Sequence, residues 1–152
     1  PIAGADRRVM QSCLMSTATH QERIDSTKGL QINVHSRLPA GAPRAVIVIC
    51  HGVNSHGGQY QWTLEQCVTA GYAAYALDLR GRGQSDGERF FVEDVHDYVA
   101  DVAATIRLAQ SRHPGLKLFL LGHSAGGVVS CTYTLEHQQE LAGFICESFA
   151  FQ

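Results

Sequence analysis

The sequence LKLFLLGHSAGG, residues 116–127, is the strongest indication of the fold. An apolar run precedes the pentapeptide GHSAG at positions 122–126, and residues 125–138 then favour a helix. The pentapeptide matches the pattern G-x-S-x-G, which between a buried strand and a helix is typical of a nucleophilic serine on a sharp turn. The segment therefore predicts a strand, a tight turn that carries Ser124, and a helix.

Backbone strain explains the spacing of this motif. A side chain two residues before or after the serine would collide with the turn, and Gly122 and Gly126 remove those collisions. The turn leaves the Ser124 hydroxyl exposed and places the Ala125 N–H at the positive end of the helix, where a developing oxyanion is stabilised. The alternative is a tight turn whose serine only caps the helix.

Apolar segments of strand length recur along the chain. They are residues 45–50, 72–77, 116–121 and 141–146, and residues 20–37 add two short strands joined at 26–29. Helical patterns lie between them, at residues 60–70 and in an apolar stripe formed by Val95, Val99, Val102, Ile106 and Ala109. Buried strands that alternate with helices predict an α/β fold with a mainly parallel sheet flanked by helices.

Composition narrows the class of protein. The 152 residues are 45% hydrophobic and 17% charged, which favours one globular domain. A net charge of -2 argues against a nucleic-acid partner, since phosphate binding depends on clustered cations. No apolar run approaches the roughly 20 residues of a membrane helix, and residues 1–13 lack a secretory signal. A cytoplasmic location is therefore expected, while membrane association stays open.

The five cysteines predict neither a disulfide framework nor a zinc site. None forms a CxxC pair, and apolar surroundings favour free thiols in a reducing compartment. They are Cys13, Cys50, Cys67, Cys131 and Cys146.

The loop after residue 50 is the candidate source of a second oxyanion donor. Gly52 lets the loop double back over the end of the sheet, so the Val53 N–H is the expected donor beside that of Ala125. His51 could be taken for a catalytic base, but the order serine, acid, histidine opposes this and favours a loop-bracing role. His56 and Tyr60 either line the pocket or pack the loop.

The loop after residue 77 is rich in glycine and charge. It lacks the terminal Gly-Lys-[Ser/Thr] of a phosphate-binding loop, so nucleotide binding is not expected. Asp78 and Arg80 are expected to tie this loop to its neighbours by charge-assisted hydrogen bonds. No metal or organic cofactor is predicted.

Three motifs together resemble those of the monoacylglycerol lipase, lysophospholipase and serine aminopeptidase (S33) branch of the α/β-hydrolases. They are His51-Gly52 with His56 and Tyr60, residues 78–85 with Gly87 and Arg89, and residues 122–127. The resemblance covers residues 20–150 and implies Ser124 as nucleophile with Val53 and Ala125 as oxyanion donors. Ser55, Gln59 and Ala125 depart from the acidic residue, arginine and methionine usual in monoacylglycerol lipases.

The sequence contains no convincing base for Ser124. The only later histidine is His137, which helix geometry places about 20 Å away. His123 flanks the serine as a pocket candidate, and Glu147 follows the strand at 141–146 as either triad acid or pocket residue. The remaining histidines are expected to have surface or packing roles: His20, His35, His96 and His113.

The resemblance thus implies that residues 1–152 are the N-terminal part of a single α/β-hydrolase domain, covering about its first six strands. The apolar end, residues 149–151, lies near the expected cap insertion, and about another hundred residues are expected to supply the catalytic Asp and His. As a fragment the chain would be inactive.

The expected function is hydrolysis of a carboxylic ester, with a small acyl or lipid-like substrate and an acyl-enzyme on Ser124. Peptidase or amidase activity is the alternative within the fold, and a non-catalytic binding protein is the alternative from another class.

Overall fold

A computed structural model describes residues 18–148 of the chain. The expectations for Cys13, for a leader in residues 1–13 and for the apolar end at 149–151 lie outside the described residues.

Six strands form one mixed sheet in the order β1-β2-β4-β3-β5-β6. The strands are β1 His20–Asp25, β2 Gln31–Arg37, β3 Val46–Cys50, β4 Ala73–Leu77, β5 Leu118–His123 and β6 Gly143–Glu147. β1 and β2 pair antiparallel, and β2 is antiparallel to β4, whereas β3, β4, β5 and β6 run parallel. The α/β prediction is therefore confirmed, and parallel β3 and β5 end side by side where the G-x-S-x-G turn begins.

Three helices flank the sheet: α1 Gln61–Thr69, α2 Val95–Arg112 and α3 Ala125–Glu136. Short 3-10 turns occur at Thr27–Gly29, Gly57–Tyr60 and Gln138–Glu140. The Asp94 carboxylate accepts the His96 N–H at 2.9 Å and caps α2, whose first turn would otherwise leave that donor unpaired. α3 ends before residue 138 because His137 leaves helical geometry.

Helices cover both faces of the sheet, so two cores form. The larger core joins the sheet to α2 and α3, and the smaller one lies under α1, where Leu64 is fully buried. In the apolar stripe of α2, Val99, Val102, Ile106 and Ala109 are buried as predicted. Val95 is 39% exposed because it stands at the first turn, beyond the sheet.

The expectation of a buried strand at residues 141–146 is wrong. The strand begins at Gly143, and its last three residues are exposed, with Ile145 at 47%. The reason is that β6 is an edge strand in residues 18–148, paired only with β5. Of the helices in this same range, none has the length and apolarity needed to cross a bilayer.

Candidate active site

Ser124 occupies a strained turn between β5 and α3. Its φ of 54° and ψ of -122° lie where residues with a side chain are rarely found. Two backbone hydrogen bonds hold it there: its N–H donates to the Glu147 carbonyl at 2.9 Å, and its carbonyl accepts the Gly127 N–H at 2.8 Å. Such strain costs on the order of 1–3 kcal/mol and persists only where the surroundings fix it.

Two glycines allow the packing that holds Ser124 in this backbone conformation. A Cβ on Gly122 would lie 2.6 Å from the Gly126 carbonyl oxygen, and one on Gly126 would overlap the carbonyl oxygens of His51 and Cys50. The backbone of α3 therefore rests directly on the ends of β3 and β5. This is the close approach that the sequence motif predicts.

The capping alternative for Ser124 is wrong. Its side chain makes no capping hydrogen bond to α3. Within residues 18–148 the hydroxyl has no hydrogen-bond partner, and the residue is partly exposed. A free hydroxyl on a strained turn can reach an incoming group.

The loop after β3 packs against this turn. A Cβ on Gly52 would lie 3.3 Å from the Ser124 Cβ, so only glycine allows so close a path without a shift. A cavity of about 40 Å³ opens beside it, lined by His51, Gly52, Val53, Leu79, Arg82, Tyr98, Ala125 and Val129. In the described part of the chain, neither the Val53 nor the Ala125 N–H donates to another backbone group. Both residues thus bring an unused donor to one cavity, which is large enough for a water molecule.

His51 braces this loop. Its Nδ1 donates to the Gly52 carbonyl at 2.7 Å, and its Nε2 accepts the Leu79 N–H at 3.0 Å. Burial lowers the pKa of His51, so the imidazole stays neutral. With both nitrogens engaged, the ring cannot accept a proton from Ser124.

Tyr60, His123 and Glu147 lie together at the same end of the sheet. The Tyr60 hydroxyl is 3.2 Å from His123 Nδ1, and His123 stands opposite Glu147 in the β5–β6 register. Burial raises the pKa of Tyr60, and the negative charge of Glu147 raises this pKa further. Glu147 is the last residue of β6 rather than a residue beyond the strand, and its side chain is exposed.

Asp78 joins three segments around the site. Its fully buried carboxylate accepts the N–H groups of Gly57 at 2.6 Å and Gln84 at 2.9 Å, one from each loop. From β2, the Asn33 side-chain amide donates at 3.1 Å, and His35 Nε2 lies 3.3 Å from the carboxylate. His35 is therefore buried in this network, a contact that the expected surface or packing role missed.

The charge of Asp78 is strongly favoured. Burial alone would raise the pKa of this carboxyl, but the hydrogen bonds from His35, Gln84 and Asn33 outweigh it and lower the pKa to about 2. His56 lies 4.0 Å from the same carboxylate and is less buried. His35, His56 and Asp78 could hold a cation only by giving up these hydrogen bonds.

Arg80 ties the second loop to α2, as predicted. Its Nε and Nη2 donate to the buried Asp101 at 3.0 and 2.8 Å, and Nη1 lies 3.2 Å from Asp97. Nη2 also donates to Thr27, in the turn between β1 and β2. The loop that carries Arg82 into the cavity is thus held at its base.

The other histidines do not join the site. His137 stacks on Tyr133 past the end of α3, and His113 accepts from or donates to the Tyr75 hydroxyl at 2.8 Å. His20 and His96 are exposed. Four cavity residues were not predicted from the sequence: Leu79, Arg82, Tyr98 and Val129. Arg82 lies in the loop after residue 77, which was considered as a phosphate-binding loop and as a loop tied by Asp78 and Arg80, but not as part of the pocket.

The chain is similar in sequence to a known hydrolase family and to several lipases. The sequence model of a family described as serine aminopeptidase, S33, matches residues 41–152. Human monoglyceride lipase is 33% identical over 145 residues, which are 95% of this chain and 47% of that protein. A monoacylglycerol lipase of Mycolicibacterium smegmatis is 30% identical, covering 87% and 47%, and a phospholipase of Bacillus subtilis is 34% identical, covering 72% and 42%. The chain spans about half the length of the curated relatives it matches.

Solved structures support the fold. A carboxyl esterase from Bacillus coagulans superposes with a TM-score of 0.78 at 22% identity, over 86% of this chain and 44% of that one. An epoxide hydrolase from Vigna radiata gives 0.73 at 23% identity, over 88% and 41%. At these identities the likeness shows the α/β-hydrolase fold alone.

We predict that Gly126→Ala destabilises the protein. Alanine in place of helical glycine normally adds about 1 kcal/mol of stability. Here the new Cβ would overlap backbone carbonyls that cannot yield cheaply, so we expect a net loss of roughly 1–3 kcal/mol. Urea unfolding of the complete natural protein measures it. Gly41→Ala is the control, since its Cβ would meet nothing within 4 Å, and an equal effect of both changes would contradict the packing argument.

We predict that Asp78 stabilises the fold in a pH-dependent way. Its pKa falls from 3.8 to about 2 on folding, so its contribution is complete above pH 3.8 and is lost as pH falls towards 2. The shift corresponds to about 2 kcal/mol. Urea unfolding of the complete protein should therefore show a gap between wild type and Asp78→Asn that narrows from pH 6 to pH 2.

The matched control for Asp78 is Glu93→Gln. Glu93 is an exposed carboxylate near Lys28, so its removal should change the free energy of unfolding little at any pH. A gap for Asp78→Asn that is absent at pH 6, or as large at pH 2 as at pH 6, would contradict the role given to this carboxylate.

Proposed function

Because the chain belongs to the serine aminopeptidase S33 family, which matches residues 41–152, we propose that the protein is a serine hydrolase that cleaves a carboxylic ester. The observation that carries this proposal is the free hydroxyl of Ser124, on a strained turn beside a cavity lined by Val53 and Ala125. Residues 1–152 then form the N-terminal part of one α/β-hydrolase domain.

The proposed reaction begins at Ser124. Its Oγ attacks the ester carbonyl carbon while a base takes the hydroxyl proton, and the carbonyl electron pair moves onto oxygen. The N–H groups of Val53 and Ala125 donate to this oxyanion from the cavity. Collapse expels the alcohol, which takes the proton from the base, and water then hydrolyses the acyl-enzyme by the same steps.

The base and acid of this reaction are proposed to follow residue 152. Both nitrogens of His51 are engaged in the loop, and His137 lies past the far end of α3. The serine, acid, histidine order of the fold places both partners after Ser124, and the matched relatives are about twice as long. Glu147 is the alternative acid, since it lies opposite His123 at the strand end.

The proposed substrate is a small acyl or lipid-like ester. Two relatives are monoacylglycerol lipases by name and a third is a phospholipase, and these names favour a lipid ester over a peptide. Peptidase or amidase activity is the second candidate, favoured by the description of the matching family. A cytoplasmic location is also proposed, in keeping with the free thiols of Cys50, Cys67, Cys131 and Cys146.

We predict that a fluorophosphonate probe labels Ser124 in the complete protein. Peptide mapping should place the adduct on this residue, and Ser124→Ala should abolish labelling and lower kcat for a nitrophenyl ester by at least about 10³-fold. Ser111→Ala is the control, because Ser111 is exposed on α2 and bonds only its own helix. A folded wild-type protein without an adduct would instead favour a non-catalytic binding role.

A further inference from the structure

In the described part of the chain, Arg82 is a nearly buried cation without an ion pair or a hydrogen bond to its guanidinium. The residue is 7% exposed, and its Nη1 is buried without a hydrogen bond. Within residues 18–148 its guanidinium has neither an ion pair nor a hydrogen bond. Burying an unpaired charge is costly, so such a group is stabilised by an anion that comes to it.

The other arginines make this exceptional. Arg80 binds Asp101 and Asp97, and further pairs join Arg23 to Asp86, Arg37 to Glu65 and Arg112 to Glu22. Arg44 contacts the Tyr72 ring, but it is exposed and keeps its hydration. Of these residues, only Arg82 has a buried guanidinium with no ion pair and no hydrogen bond.

The position of Arg82 indicates where an anion would bind. The residue lines the same cavity of about 40 Å³ as Val53 and Ala125, beside the Ser124 turn. After burial, the charge of Arg82 is among the causes that lower the pKa of His51, another residue of this cavity. The Phe90 ring lies 4.5 Å from the guanidinium carbon and keeps water from that face, so the charge is weakly screened.

The cavity has room for an oxygen atom of an anion, since its volume of about 40 Å³ exceeds what one water molecule needs. The negatively charged oxygen that the proposed reaction creates there is the one on the acyl carbon. After hydrolysis, one oxygen of the carboxylate product can take the same position and carries part of the carboxylate's negative charge.

We propose that Arg82 supplies positive charge to the oxyanion cavity, so that the site favours the tetrahedral oxyanion and the carboxylate product over the neutral ester. This inference rests on the proposed function. Arg82 acts on the developing charge across the cavity, in addition to the backbone donors.

Two variants of the complete protein test the proposal with p-nitrophenyl butyrate, a neutral ester. Arg82→Met removes the charge but keeps the length, and should lower kcat roughly 10-fold or more with KM little changed, because the charge acts on the transition state. Arg82→Lys keeps the charge and should recover most of kcat.

Product inhibition gives a second measurement, because a purely structural role of Arg82 would not change the inhibition constant of butyrate relative to that of butyramide. Butyrate should inhibit the wild type more strongly than butyramide, its neutral isostere, and Arg82→Met should raise the inhibition constant of butyrate about 10-fold but not that of butyramide. Arg44→Met is the matched control, since it removes a cation from the Tyr72 ring away from the cavity, and should change none of these values.

The outcomes separate the inference from the proposed function. If the phosphonate does not label Ser124 of the wild-type protein and the protein cleaves no ester, both the proposed function and the role of Arg82 are overturned. An active wild type whose Arg82→Met variant keeps kcat and the butyrate inhibition constant overturns the inference alone. If Arg82→Met does not fold, Arg82→Gln is measured in its place, because it also removes the charge: a lower kcat and weaker inhibition by butyrate support the role of Arg82, and unchanged values overturn it.

Discussion

The site depends on one contact, in which the first turn of α3 rests on the ends of β3 and β5 with no side chain between them. Gly122 and Gly126 make this approach possible, because a Cβ at either position would meet backbone atoms. With the helix held so close, the chain can pass from β5 into α3 only through the unusual φ of Ser124. That conformation keeps the hydroxyl free of α3 and brings the Ala125 N–H beside the loop that carries Val53.

Two buried charges then hold the loops that complete the site. Asp78 accepts an N–H from each loop and contacts two side chains of β2, whereas Arg80 joins the second loop to Asp101 on α2. Because these groups are buried, the bonds are strong and costly to break. They hold the loop that places Arg82, whose guanidinium has no ion pair or hydrogen bond within residues 18–148, at the cavity.

The sequence predicted what short-range patterns encode. Apolar runs located β3 to β6, a turn-type cluster separated β1 from β2, and periodicity gave the stripe of α2. The G-x-S-x-G spacing predicted the turn at Ser124 because the motif combines with a preceding strand and a following helix in the sequence itself. Features that depend on distant residues were missed: His35 reaches Asp78 only through the antiparallel β2–β4 pairing. Ile145 is exposed because β6 lies at the edge of the sheet. That Arg82 has no ion pair among the described residues depends on where the acidic side chains lie in three dimensions, which short-range patterns do not give.

In the proposed reaction, the Ser124 hydroxyl attacks the ester carbonyl carbon while the N–H groups of Val53 and Ala125 bind its oxygen. A crystal structure of the complete protein with a phosphonate on Ser124 tests this arrangement, because the phosphoryl oxygen occupies the oxyanion position. We predict distances of about 2.7–3.1 Å from that oxygen to both backbone nitrogens. A phosphoryl oxygen directed away from the cavity, with neither nitrogen in hydrogen-bond reach, would contradict it.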